Sequence, residues 1–497
     1  MHIYDVVIIG AGPVGLATAN GLRDRGIENI IVLDQARAFR RVGQGVDILP
    51  NGLKALKCLS NQAYEEVIKA ARTNTKPGNS SPSSPKWFVR DLQGKQIRSI
   101  ALNFDEWVKN YSEGRISVAW FDLQTALRNL IPTEQVKANH RCIDVAFDED
   151  EKYVRVDCLS DMMVEENPYA HWDSETQNNQ VQSQYINHNI SENISENIHK
   201  NTESVEKKSF RAKLVIAADG INSTVRKILY RDTNHQVFSR PEYSGYAAII
   251  CSEITDASDE IQTEIQEKFL HNAPIVTITQ DNDSRESACE QPSRMTLLSR
   301  KPGQFTYLVH IPVDLNQLHE DSLIEVTLEE LEKSNFPQAI KELVRLSKPE
   351  NMQHRTYYIH RATVSDSLPF PDSANLHTDN NSANLQPPWY KDKVVLVGDA
   401  AHGMPPFAAQ GVNQGLEDAL IIAELVSKLA DSNQLNDENA IREVFEKYEN
   451  VRRPVMEYIQ KITMTGLNYS SNQQELDKCN QKIFARDFEQ VIEALNS

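Results

Sequence analysis

The chain has 497 residues, 40% of them hydrophobic and 25% charged, with a formal net charge of −18 at pH 7 and a pI near 5.3. That length exceeds one ordinary hydrophobic core, so two domains are expected, and the composition is that of a soluble globular protein. The acidity repels phosphate backbones and anionic bilayers, which argues against nucleic acid as a partner.

The first predicted element is a short β-rich run, Val6 to Ile9, bounded by glycine. Gly10, Gly12 and Gly15 follow it as G-x-G-x-x-G. A helical pattern runs from about Pro13 to Arg25, and Gly26 suits its end. A second strand, Ile30 to Leu33, ends at Asp34, 19 residues after Gly15. Here Gly10 permits a tight turn, Gly12 lets backbone approach a pyrophosphate, and Gly15 lets helix and strand pack closely. The helix N-terminus offers free N–H groups to the phosphates. Asp34 can accept hydrogen bonds from a ribose diol, which fits FAD or NAD rather than NADP.

A β-meander is expected next, with arms Cys142 to Phe147, Tyr153 to Leu159 and Phe210 to Ala217. The Asn-rich stretch 159–208 interrupts it. With its ISEN-ISEN repeat it cannot bury enough apolar surface to offset its ordering entropy, and is expected to be a loose surface insert. The third arm ends at Asp219-Gly220. Ser223 or Thr224 can cap a helix beginning near Val225. Four more strands are predicted at Tyr243–Ser252, Pro274–Gln280, Met295–Ser299 and Phe305–Val313, with a charged loop at 281–293 and a polar linker at 372–388. The strand Val394 to Val397 then runs into Gly398-Asp399, Pro405, Pro406 and Gly411. A helix is expected from about Asn413, with Val412, Leu416, Ala419, Leu420 and Ala423 on one apolar face.

The six cysteines are scattered without a C-x-x-C pair, and the 13 histidines show no H-x-x-x-H or H-E-x-x-H spacing, so no metal is expected. No apolar run approaches the roughly 20 residues that span a bilayer. The start, MHIYDVVIIG, lacks a basic region and a cleavage site, so a cytoplasmic protein is expected.

Taken in order, these segments resemble the FAD-dependent class A monooxygenases, the aromatic-hydroxylase family. The fingerprint is matched by Gly10, Gly12, Gly15 and Asp34. The family's "DG" motif is matched by Ala218-Asp219-Gly220 through Arg226. Its "GDAAH-x-x-P-x-x-x-x-G-x-N" motif is matched by Gly398, Asp399, Ala400, Ala401, His402, Pro405, Gly411 and Asn413. VGQGVDILPNGLKAL (Val42–Leu56) and YSGYAA (Tyr243–Ala248) are similar to two further family segments.

The resemblance implies an α/β fold. A Rossmann-like FAD-binding domain is built from discontinuous segments, 1–75, 115–230 and 388–455. An inserted α+β substrate domain with a mainly antiparallel sheet takes 76–114 and 231–387, and 456–497 forms a helical tail. FAD is the implied cofactor, with NADH or NADPH as a visiting electron donor and O₂ and a small molecule as substrates. The implied reaction is hydroxylation or epoxidation of an aromatic or isoprenoid-like compound through a C4a-hydroperoxyflavin. A flavin reductase on the same fold, or a non-catalytic FAD-binding protein, is the alternative.

The implied cofactor residues begin with the fingerprint, including Pro13 and Val14, and with Asp34 and Gln35. Arg41 and Gly45 follow, then Asp219 and Gly220 near the pyrophosphate and the nicotinamide donor. Asp399, after Gly398, would hold the ribityl chain, because a carboxylate accepts hydrogen bonds from a polyol. Pro405 and Pro406 would floor the flavin ring. Gly411, Val412 and Asn413 would bring backbone N–H groups and a positive helix end to its pyrimidine edge, where reduced flavin is negative. His402 is expected to pack or hydrogen-bond beside the turn rather than act as a base. Trp120 stands where the family usually has Arg, and Arg115, Arg40 or Arg41 could supply that charge. Tyr246, His310 and Tyr307 are candidates to face the substrate, although strand alternation turns about half of such residues away.

Overall fold

Strand β1 (Ile3–Ile9) runs into helix α1 (Pro13–Asp24) and then β2 (Ile30–Leu33). β3 (Gly45–Ile48), α2 (Pro50–Leu59), α3 (Asn61–Thr73), β4 (Lys86–Arg90) and β5 (Gln96–Ala101) follow. Next come α4 (Phe104–Tyr111), β6 (Ile116–Ala119), α5 (Trp120–Arg128), β7 (Val136–Lys137), β8 (Arg141–Phe147), β9 (Val154–Asp161), β10 (Val205–Ala217) and α6 (Thr224–Tyr230). β11 (Glu242–Ile254), α7 (Asp259–Ile265), β12 (Ile275–Thr279), β13 (Arg294–Lys301) and β14 (Gln304–Pro312) precede α8 (Leu323–Lys333), α9 (Gln338–Arg345) and β15 (Met352–Ile359). The chain closes with β16 (Tyr390–Lys391), β17 (Val394–Leu396), α10 (Asp399–His402), α11 (Gly411–Asp431), α12 (Glu438–Thr465), α13 (Gln473–Phe484) and α14 (Phe488–Asn496). This computed structural model describes residues 2–36, 45–73, 86–148, 152–162, 205–281, 292–301, 303–319, 322–363, 386–465 and 472–496.

The first sheet has the order β16-β17-β10-β1-β2-β7, with β9 and β8 added to the long β10. β17, β10, β1, β2 and β7 are parallel, whereas β9 and β8 are antiparallel. Val6, Val7 and Ile8 are wholly buried, as strands covered on both faces require. Helices α1 and α11 cross closely: a Cβ at Gly21 would stand 3.2 Å from the Ala423 Cβ.

The second sheet has the order β15-β11-β14-β13-β12-β4-β5 and is antiparallel except for β12 against β4. On one face Phe305, Tyr307, Val309 and Ile311 join Ile340, Leu343 and Val344 of α9 in a separate core. The other face carries a smaller cluster, in which Tyr246, Ala248, Tyr357 and Ile359 meet Phe407 and Met464. Among the described residues no helix is long and apolar enough to cross a membrane.

Two boundaries differ from the sequence reading. The β9–β10 hairpin continues beyond its apolar arms, with Val205 opposite Asp161 and Lys207 opposite Leu159. Backbone pairing does not need apolar side chains, and the Lys207 ammonium lies 2.9 Å from Asp157. Helix α12 runs through Pro454 without a break, so a boundary at 455 falls inside it. Residues 163–204, 282–291 and 364–385, which hold most of the polar insert, the charged loop and the linker, lie outside the described residues.

Candidate active site

Three turns meet at the carboxyl ends of adjacent parallel strands. Ile9 of β1 stands opposite Ala217 of β10, and Ala217 opposite Leu396 of β17. The following residues are Gly10, Ala218-Asp219 and Val397-Gly398. In open α/β sheets this edge is where ligands bind. Gly10 has φ +106°, and a Cβ there would stand 2.3 Å from the Ala218 carbonyl oxygen. Only glycine permits this approach. Gly15 is equally closed, with the Gly10 carbonyl oxygen 2.0 Å from a Cβ. Gly12 differs: its nearest neighbour would be Trp120 Cζ2 at 3.9 Å, which leaves its backbone open. Pro13 is buried at the first helical position, where its fixed φ suits a helix start. Val14 packs inward, its methyls 3.3 Å from a Cβ on Gly398 and as close as 2.3 Å to one on Gly415. The side chain of Val14 thus joins the first turn to the third.

The three carboxylates have different surroundings. Asp34 accepts from the Ala11 N–H (2.6 Å) and the Ala36 N–H (2.8 Å). Burial raises its pKa and those two bonds oppose the rise. Asp219 is committed to the turn: it accepts from the Ser223 hydroxyl (2.5 Å) and from the N–H groups of Thr224 (2.8 Å) and Val225 (3.1 Å). Ser223 caps α6 by accepting from the Arg226 N–H. The Asp219 side chain therefore shapes the helix start, and Gly220, at φ +77°, makes the bend. Asp399 has no such anchors. It is exposed at the surface, yet the protein packed around it raises its pKa, with His402 opposing and Asp418 adding to the rise. A Cβ on Gly411 would stand 3.7 Å from Asp399 Oδ1, so the third turn and the start of α11 share this corner.

The second and third turns are clamped by Arg226. Its Nη1 donates to the carbonyls of Ala400 (3.0 Å) and Ala401 (2.9 Å), and its Nε to Phe238 (2.7 Å). Behind the third turn, His402 Nε2 lies 2.6 Å from Asp418, which also accepts from the Gly398 N–H (2.8 Å) and Arg452 Nε (2.5 Å). Burial would raise Asp418, but His402 and Arg452 overcome it and bring the carboxyl down to about 2. His402 is thus a buried hydrogen-bonding group, as the sequence led us to expect.

Helix α11 differs more from expectation. Its apolar face is present, but Gln414, Glu417 and Asp418 are also wholly buried. Periodicity shows where apolar residues lie, not whether the opposite face meets water. Here that face meets Arg452, wholly buried, which donates to Glu417 (2.6 Å) and Gln414 (2.8 Å) as well as Asp418. Asn413 is spent structurally: it accepts from the Leu49 N–H (2.8 Å) and donates to Asp47 (3.0 Å) and Ala409 (2.7 Å). Its side chain ties β3 to the α11 entry rather than being left for a ligand. Val412 is half-buried, Pro405 buried and Pro406 exposed.

Gln35 and Gly45 are exposed beside these turns, while Arg40 and Arg41 lie outside the described residues. Arg115, a candidate for the expected arginine's charge, has a protein partner of its own. It pairs with Asp47 at 2.8 Å and is buried in that role, while Trp120 itself lies beside Gly12.

Facing the Pro405–Phe407 turn is the second sheet. Phe407 stands edge-on to Tyr246 (5.6 Å between ring centroids), His310 (5.6 Å) and Tyr357 (5.5 Å). The Arg294 guanidinium carbon lies 4.4 Å from the Phe407 ring centroid. Tyr357 and His310 Nδ1 are 3.1 Å apart. Burial, then the charge of Arg294, lowers the His310 pKa well below its ordinary value, so the ring is neutral. Tyr246 and His310 thus share this face. Tyr307 does not: alternation along β14 turns it into the opposite core, where it bonds Ser347 at 2.8 Å.

Comparison with known proteins finds a consistent set of similar chains. A profile described as an FAD-binding domain matches residues 3–57 and 337–463, the first and third turns included. An FAD-dependent monooxygenase of Gibberella moniliformis is 23% identical over 460 residues, covering 91% of this chain and 83% of that one. The chain is similar to FAD-dependent monooxygenases along most of its length. A further similar protein is the 6-hydroxynicotinate 3-monooxygenase of Pseudomonas fluorescens, 22% identical over 86% of this chain and 84% of that one. The fold matches a salicylate hydroxylase solved as a substrate complex, with TM-score 0.60, 17% identity, and coverage of 99% of this chain and 97% of that one.

The residues fit the cofactor of that family. Open backbone at Gly12 heads a helix N-terminus, which suits a pyrophosphate. Asp34 and the open Asp399 are acceptors for ribose and polyol hydroxyls. Gly411 is approachable at the positive end of a 21-residue helix.

Proposed function

We propose that the protein is an NAD(P)H- and O₂-dependent hydroxylase of a small aromatic ring, bound beside the cluster where the second sheet meets the Pro405–Phe407 turn. The observation that carries this reading is the ring box. Three aromatic side chains converge at 5.5–5.6 Å on Phe407, a residue of the same turn sequence as Asp399. A flat substrate ring is suited to edge-on packing of this kind. The relatives that act on 6-hydroxynicotinate and the salicylate hydroxylase fold support a ring of this size.

Bound FAD would supply redox chemistry the side chains lack: hydride acceptance from the nicotinamide and transfer of one atom of O₂. Asp399 would grip the ribityl hydroxyls. The α11 dipole and the Gly411 backbone would favour negative charge on the flavin's pyrimidine side. Val14 and Arg226 would keep the turns in register. The His310–Tyr357 pair would orient the substrate through neutral hydrogen bonds, and Tyr246 and Phe407 would exclude water.

The test starts with the purified protein and its visible spectrum. NADH or NADPH is then added with a panel of hydroxybenzoates and hydroxypyridines under ¹⁸O₂. The expected result is a yellow protein, substrate-stimulated NAD(P)H oxidation and one ¹⁸O atom in the product. Nicotinamide oxidation with a reduced, unlabelled product would instead establish a reductase. A colourless protein that cannot be reconstituted with FAD would end both readings.

A further inference from the structure

We infer that the C-terminal helix pair α13–α14 clamps the cofactor-side helix α11, and that Arg486 is the positioning residue through which it acts. Glu417 and Asp418 are adjacent, wholly buried carboxylates on α11. Two buried negative charges side by side are costly unless cations meet them. Arg452 of α12 serves both, with Nε on Asp418 at 2.5 Å and Nη1 on Glu417 at 2.6 Å. The second guanidinium on Glu417 is that of Arg486, from the connection between α13 and α14. It reaches inward from the surface, its side chain 18% exposed against 0% for Glu417.

The same carboxylate is one step from the α11 N-terminus. Glu417 Oε1 accepts from Asn51 (2.8 Å) and Gln414 (3.1 Å), and both amides also donate to Gln410 Oε1, at 3.1 and 2.8 Å. Gln410 immediately precedes Gly411 and caps α11. Arg486 therefore holds a carboxylate whose partners fix the turn beside Asp399. The connection is itself anchored. Lys54 Nζ of α2 donates to the carbonyls of Phe484 (2.9 Å) and Arg486 (3.3 Å). The Phe484 ring packs against Trp107 (5.5 Å) and Tyr111 (5.2 Å). Lys447 Nζ holds the far end at the Leu495 carbonyl (2.9 Å).

Coupling of this kind is reciprocal. If Arg486 positions the α11 entry for the cofactor, then FAD must in turn hold the tail. Removing the cation leaves Glu417 and Asp418 sharing the one guanidinium of Arg452, with excess negative charge behind a site built to accept a negative flavin.

The experiment titrates FAD into deflavinated protein by flavin fluorescence and follows amide exchange in 473–496 with and without FAD. Arg486→Met is expected to weaken FAD binding at least tenfold and to abolish the slowing of tail exchange that FAD produces in the wild type. Arg486→Lys keeps the charge and should restore most of both. Glu417→Gln combined with Arg486→Met removes charge from both partners and should recover affinity relative to Arg486→Met alone. If Arg486→Met does not fold, Arg486→Lys and the double variant carry the test. Wild-type FAD affinity in folded Arg486→Met overturns the inference. So does a folded double variant that binds as weakly as Arg486→Met, or a wild-type tail whose exchange FAD leaves unchanged.

Discussion

Among the described residues outside its own helix, Asp399 Oδ1 is the one neighbour within 4 Å of a Cβ placed on Gly411, at 3.7 Å. The contact is ordinary, and Gly411 is not among the positive-φ glycines, so the fold itself does not demand glycine there. Approach of the proposed cofactor to that backbone would demand it. Gly411→Val is therefore expected to keep the unfolding midpoint of the apo-protein close to wild type while lowering FAD affinity at least tenfold. Asp399→Ala should do the same by removing charge-assisted hydrogen bonds, worth about 1.5–3 kcal/mol. Fluorescence titration of FAD reads both. Wild-type affinity in Asp399→Ala would remove the ribityl assignment.

The turns were legible because each needs a particular residue type at a fixed spacing. Gly10 cannot be anything else with Ala218 against it, and Asp34 must follow the second strand. The polar heart of α11 was not legible. Glu417 and Asp418 read as the solvent face of an amphipathic helix, and their partner Arg452 lies 34 residues beyond Asp418. The Arg-Arg-Pro run at 452–454 was the only local hint. Nor could alternation alone choose between Tyr307 and His310, because both faces of the second sheet are covered. The choice is made by α9 on one side and Phe407 on the other.

Arg226 is nearly fully buried, and its partners are carbonyls rather than carboxylates. Arg226→Met would leave two buried acceptors and one half-buried acceptor unmet, at about 1 kcal/mol each, so a loss of about 2–3 kcal/mol is expected in denaturant unfolding. Arg226→Lys should recover only part of it, because a single ammonium lacks the fork that reaches Phe238 and Ala400 together. A loss below about 1 kcal/mol in Arg226→Met would show that the two turns hold together without the clamp.

The two candidates on β14 make opposite predictions. His310→Ala should raise the KM for the aromatic substrate several-fold, because its ring lies with Phe407 and Tyr357 where the turn meets the sheet. Tyr307→Phe should leave KM unchanged and cost about 1 kcal/mol of stability through loss of the Ser347 hydrogen bond. Steady-state kinetics and unfolding curves on the same preparations separate the two. Reversed effects would mean that the substrate lies on the α9 side of the sheet.

Acid sensitivity should appear in two steps. His360 is buried, with Nε2 2.7 Å from the Ile221 carbonyl, and its pKa is lowered to about 3 by burial and then by Arg226. Folding therefore favours the neutral ring. Its contribution is fully present above the unfolded pKa of about 6.5 and is lost as pH falls from there toward about 3. Asp418, at about 2, is likewise depressed, so its contribution is present above the unfolded value of about 3.9 and is lost as pH falls toward about 2. Unfolding free energy measured against pH should thus begin to decline below about 6.5 and steepen below about 4. His360→Gln keeps a donor for the Ile221 carbonyl but cannot be protonated, so it should make the first decline shallower, leaving the part that the buried His310 contributes, and leave the second unchanged. A His360→Gln profile that still falls between pH 6 and 4 with the wild-type slope would assign that step to another group.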